Sequence, residues 1–110
     1  MNSFRMLVFP IKLFKDNYSY LVLNNSNKFG FLIDPADPDK IMNFLEDFKP
    51  FEISTVLYTH KHWDHASGSK KLFEMLSSRS IDKSVNINFW ASSIEAKEID
   101  YINKTFDKVY

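Results

Sequence analysis

Thr55-Val56-Leu57-Tyr58-Thr59-His60-Lys61-His62-Trp63-Asp64-His65 is the stretch on which the reading of this chain turns. Its first four residues are a short, continuously apolar run, the pattern of a β-strand buried on both faces of a sheet. All three histidines of the protein then follow within six residues. Side chains alternate along an extended or loop backbone, so His60, His62 and Asp64 can point the same way there, whereas a helix would separate positions two apart. The segment is therefore expected as a loop at the carboxyl end of a buried strand, where open α/β sheets place ligands, with the next helix beginning beyond it.

Imidazole and carboxylate are ligands suited to zinc, iron and manganese, and neighbouring ligands lower the entropy cost of assembling a site. Four candidate ligands in six residues (His60, His62, Asp64 and His65) exceed what one tetrahedral ion with an open position takes from a single short segment. Two metals sharing the segment account for the density better. A pair of ions activates water near neutral pH and polarises an electrophile. The plainer alternative is a solvated histidine-rich surface loop, and the spacing after a buried strand argues against it.

Outward from this loop the pattern is layered. Upstream, Met6 to Leu13, Tyr18 to Leu23 and Phe29 to Ile33 read as strands, the last two a hairpin across the polar turn Asn24-Asn25-Ser26-Asn27-Lys28. Asp37 caps a helix with Pro38 at its first position, and Ile41, Phe44, Leu45 and Phe48 form its apolar stripe, with Pro50 at its end. Downstream, a helix is expected over about Ser69 to Leu76, with Leu72, Phe73 and Leu76 inward. A strand carries Val85, Ile87 and Phe89. Ser92-Ser93-Ile94-Glu95 resembles a capping box opening a last helix with Ile99, Ile102 and Phe106 on one side. The expected order is β-β-β-α-β-α-β-α, an α/β layered domain without repeats or linkers.

Composition restricts the function classes. With 14 basic and 14 acidic residues, the chain offers no electrostatic attraction to nucleic acid or to an anionic membrane. It has no cysteine, which excludes disulfides and thiolate metal sites, so any transition-metal site must come from His, Asp and Glu. The apolar run at the start is short and broken by Pro10 and Lys12, unlike a secretory signal, and no stretch reaches membrane-span length; the cytoplasm is the expected location. Phenylalanine is abundant, at 11 residues, and glycine scarce, at 2, so there is much apolar surface to cover.

His60-Lys61-His62-Trp63-Asp64-His65 matches the His-x-His-x-Asp-His motif of the metallo-β-lactamase superfamily. The wider run Thr55 to Gly68, with Trp63 between the second histidine and the aspartate, is similar to glyoxalase II in particular. So are Asp16-Asn17-Tyr18-Ser19-Tyr20-Leu21-Val22 and Ile33-Asp34-Pro35-Ala36. The resemblance runs from about Leu13 to Trp90. It implies the N-terminal part of a four-layer αββα sandwich. It also implies that His60 and His62 hold one metal, Asp64 and His65 a second, and that Asp64 orients the attacking water as well. The two ions are expected to be zinc, with iron or manganese as the other candidates. Asp34 matches an aspartate beneath the metal site that orients the histidine loop through hydrogen bonds; an Asp-Pro turn is the other reading of that residue. Trp63 and Tyr18 are expected to pack in the core, Lys61 to point to solvent, and Ser67 stands where the family has glycine.

The resemblance also implies further ligands, two histidines and a bridging aspartate, from later sequence, and after His65 this chain has no histidine. The family's glutathione-binding helical domain is absent too. Residues 1–110 therefore read as the incomplete first part of a metallo-β-lactamase-like domain, with weak or absent metal binding and no activity alone. Self-association is expected, to cover the apolar sheet face left without its partner layer. For the complete protein the resemblance implies hydrolysis of a glutathione thioester, S-lactoylglutathione giving lactate and glutathione. The alternatives are another enzyme of the superfamily, such as a lactonase or a persulfide dioxygenase, and a non-catalytic module.

Overall fold

The computed structural model describes residues 5–13, 17–59 and 68–107. Six strands form one sheet in the order of the sequence: β1 (Met6–Lys12), β2 (Tyr18–Asn24), β3 (Phe29–Ile33), β4 (Glu52–Leu57), β5 (Asn88–Ser92) and β6 (Lys104–Phe106). The first three pair antiparallel, and β3 to β6 run parallel. Two crossover helices, α1 (Pro38–Leu45) and α2 (Ser69–Arg79), lie side by side. The layered α/β expectation holds.

Local chemistry starts the elements where the sequence places them. Asp37 caps α1, its carboxylate accepting from the Lys40 N–H at 3.2 Å, and Pro38 occupies the first turn. Ile41 and Leu45 are fully buried, and Leu72 and Leu76 from α2 join them. Beneath them the cross-strand row Leu21, Leu32, Val56 and Phe89 is sealed from solvent. Burying each such side chain contributes about 1.5–3 kcal/mol. The phenylalanines gather at the flanks of this core. Phe48 meets Phe9 and Phe44 with ring centroids 4.8 and 5.2 Å away, and Phe73, Phe89 and Tyr101 cluster on the other side.

The opposite sheet face is different. Pro10, Tyr20, Ile33, Leu57, Trp90 and Lys104 are successive register partners across all six strands. Among the described residues this face is only half-covered, and Val8 and Tyr20 on it are exposed. The expectation that β4 is buried on both faces is therefore corrected: Ile53 and Val56 are buried, but Thr55 and Leu57 are half-exposed. Both crossovers place their helices on one side, so only that side is sealed.

The expected last helix is also corrected. The Ser92 hydroxyl does accept from the Glu95 N–H at 3.1 Å, but only a single 3-10 turn follows, Glu95–Glu98. The chain is then captured by its neighbours. The Tyr101 N–H donates to Ser69 Oγ at 2.6 Å, and the Asn103 amide accepts from the Phe89 N–H and donates to the Ile87 carbonyl. Residues Lys104–Phe106 then pair with β5. Hydrogen bonds to β5 and to Ser69 win over a short helix here, and of the expected stripe Ile99 is buried while Phe106 is exposed. Tyr18, expected in the core, is 45% exposed on the open face.

Candidate metal centre

The candidate ligands His60, His62, Asp64 and His65, together with Lys61, Trp63 and Ser67, lie outside the described residues. Among the described residues no group of three His, Asp or Glu side chains gathers that could hold a metal. What the structure does describe is the two ends from which the candidate loop springs.

The entry is Thr59, two residues past the carboxyl end of β4. Asp34, at the end of the neighbouring β3, reaches across to it. The Thr59 N–H donates to Asp34 Oδ1 at 2.7 Å and the Thr59 hydroxyl donates to Oδ2 at 2.6 Å. Both are short, charge-assisted bonds, about 1.5–3 kcal/mol each by general experience. Asp34 is only 8% exposed, and its own N–H donates to the Leu57 carbonyl at 2.8 Å. Its backbone is left-handed, with φ 52°. Aspartate tolerates that region better than most residues, and strain of this kind gathers at sites where geometry is over-determined. The two readings of Asp34 are thus not exclusive, since it turns the chain into Pro35 and hydrogen-bonds the residue before His60.

The exit is Gly68, also left-handed at φ 75°, which caps α2 without a side chain. On the far side α2 is fixed by Tyr101 against Ser69 and by the Lys70 N–H donating to Asp100 at 3.3 Å. Thr59 as the partner of Asp34, and Gly68 as a built position, are residues that sequence reasoning did not single out. The scarcity of glycine was the available signal for the second.

Tyr58 lies between these parts and is fully buried. Its hydroxyl has no hydrogen-bond partner among the described residues. Burial first, and then the nearby Asp34 and Asp100 carboxylates, push its ionisation far above the ordinary tyrosine value. It stays a neutral phenol and offers no general base.

The donor chemistry fits a divalent ion: three imidazoles and a carboxylate, with no thiol, in the segment of sequence that follows the carboxyl end of the parallel strand β4. This fold and this loop define a class. Residues 14–75, more than half of the chain, match the metallo-beta-lactamase superfamily, and the chain belongs to that superfamily. Within it, the hydroxyacylglutathione hydrolase of Dictyostelium discoideum is 39% identical over 83 residues, covering 74% of this chain and 29% of that protein. The cytoplasmic hydroxyacylglutathione hydrolase of Arabidopsis thaliana is 38% identical over 71 residues, covering 64% of this chain and 27% of its own length. The matches therefore span less than a third of either relative. Among solved structures the BLEG-1 B3 metallo-beta-lactamase superposes with a TM-score of 0.60 at 18% identity, covering 83% of this chain and 39% of that one. At that identity the likeness is one of fold. No helix among the described residues is long and apolar enough to cross a membrane.

Proposed function

We propose that this chain carries the first metal-binding loop of a hydroxyacylglutathione hydrolase, an enzyme that cleaves S-lactoylglutathione with water to lactate and glutathione. The observation that carries the reading is the identity to hydroxyacylglutathione hydrolases over 83 residues, with the Asp34–Thr59 bonds immediately before His60 supporting a loop held for ligation.

In this reading His60 and His62 hold one divalent ion, and Asp64 and His65 hold the second. Bound there, the ions, zinc in this proposal, supply Lewis acidity toward the thioester carbonyl and lower the pKa of water. Asp64 also accepts a hydrogen bond from the attacking water and so orients it. Asp34 fixes the direction in which the loop leaves β4. Activity belongs to the protein that supplies the remaining ligands. This chain alone is inactive and binds metal weakly, because two ligands per ion fall short of the three or four of an ordinary zinc site. The half-exposed sheet face supports self-association of this chain, checked by light scattering; a stable monomer would refute it. The name of the Arabidopsis relative supports a cytoplasmic location.

The test is hydrolysis of S-lactoylglutathione, paired with metal analysis, on this chain and on any longer product of the same gene. Hydrolysis and about two ions per molecule in the longer form alone are expected. One iron and no hydrolysis would point to another enzyme of the superfamily. Neither metal nor hydrolysis in any form would leave a non-catalytic module.

A further inference from the structure

We propose that the five-residue turn Asp34-Pro35-Ala36-Asp37-Pro38 clamps the candidate ligand loop at both ends, with the Pro38 ring against Gly68 fixing the exit as Asp34 fixes the entry at Thr59. This rests on the metal reading above and adds Gly68 and Pro38 to it as positioning residues.

The turn is built to be rigid. Two of its five residues are prolines, whose φ is locked, and Asp34, Pro35, Ala36 and Pro38 are all buried. Its last two residues are the cap and first position of α1, so the helix holds it in place. One end carries the carboxylate that receives both Thr59 bonds. The other end lies so close to Gly68 that a Cβ there would stand 2.7 Å from Pro38 Cγ and 2.9 Å from Cδ, distances that real Cβ atoms do not tolerate. Gly68 also has φ 75°, where any L side chain is strained. Two independent requirements therefore select glycine at this position.

A side chain at 68 cannot be absorbed downstream. Ser69 is fully buried and receives the Tyr101 N–H, and Lys70 is bound to Asp100. The proline ring is stiff and cannot swing away. The displacement is therefore expected to show at the three histidines of the chain, which all stand among the eight residues between Thr59 and Gly68. With its ends fixed by one rigid element, such a segment has less freedom to lose when ligands assemble.

The histidines supply the readout, because every imidazole signal in an NMR spectrum of this chain comes from that segment. Spectra are compared for the metal-free chain and for Gly68→Ala, Pro38→Ala, the double variant and Gly30→Ala. Gly30 is the other glycine; a Cβ there would meet Leu23 Cδ2 at 2.6 Å in the sheet, making this variant a control for lost stability. Gly68→Ala is expected to move the histidine signals. The double variant, lacking the ring that the new methyl strikes, is expected to return them toward those of Pro38→Ala, and Gly30→Ala to leave them in place. Adding millimolar zinc should then reveal an apparent affinity about tenfold weaker in Gly68→Ala, in line with other supporting residues of metal sites. Histidine signals unchanged in Gly68→Ala, or moved equally by Gly30→Ala, would overturn the clamp. If Gly68→Ala does not fold, the double variant against Pro38→Ala carries the same comparison with the clash removed. Signals differing there as widely as those of two unrelated folds would overturn it too. Failure of zinc to move the wild-type signals would count against the metal reading alone, since the clamp is judged on the metal-free spectra.

Discussion

Strand β4 is anchored by a carboxylate at each end, its own Glu52 at one and Asp34 from the end of β3 at the other, and the two differ in kind. At its amino end Glu52 Oε1 accepts from the Ser80 hydroxyl and from the N–H groups of Ile81 and Asp82, at 3.2, 2.8 and 3.1 Å. The Arg79 guanidinium stands beside it, 4.0 Å from Oε2. Burial holds the Arg79 pKa below its ordinary value, opposed by the nearby Glu52 and Glu46. This anchor ties the end of α2 to the sheet, charge meets charge, and Glu52 has no left-handed backbone. At the carboxyl end Asp34 anchors Thr59 with no cation bonded to it among the described residues, and from a left-handed backbone. Stability alone would not require that strain. The amino end closes the fold, whereas the carboxyl end fixes Thr59, from which the proposed ligand segment continues.

Substitutions at the two anchors should separate those roles. The largest effect is expected from Asp34→Ala, which removes both acceptors of Thr59 and places alanine at φ 52°. Zinc affinity should fall about 10–100-fold and stability by about 3 kcal/mol, measured by zinc titration and urea unfolding. Glu52→Ala should cost about 1–3 kcal/mol in the same unfolding experiment by leaving the Ile81 and Asp82 N–H groups without their acceptor and Arg79 without its neighbouring carboxylate, yet leave zinc affinity unchanged. A change in affinity there would erase the distinction between the ends. Asp34→Gly should be about 1 kcal/mol more stable than Asp34→Ala, because glycine relieves the left-handed strain, while binding zinc no better. Tyr58→Phe should give the smallest change, within about 0.5 kcal/mol, because the hydroxyl it removes has no partner among the described residues; a large loss of thermal stability would reveal a bonded phenol.

The candidate site was legible to the extent that its residues are neighbours in sequence. His60, His62, Asp64 and His65 stand within six positions, and their type and spacing state their chemistry without a fold. Their positions in space fall outside the described residues, so their roles still rest on that spacing and on the relatives. Asp34 was visible only through resemblance, because nothing local in Ile33-Asp34-Pro35 tells a turn from an anchor. The anchoring depends on a residue 25 positions away.

By itself, the sequence determined what short-range physics controls. Asp37 and Pro38 start α1, the apolar stripe of Ile41 and Leu45 says which side of it is buried, and the hairpin turn separates β2 from β3. Only the tertiary structure decided what depends on distant partners. The last segment carried a capping signal and an apolar stripe, but β5, Asn103 and Ser69 offered better hydrogen bonds and drew it into a strand. The apolar run of β4 could not show that one of its faces lies half-open, because both helices cross on the same side. Nor could it show that Gly68 must be glycine, because the atom that requires it belongs to Pro38. Caps and stripes are set within one or two turns of chain, whereas close approach and strand pairing are set by whichever residues the fold brings together.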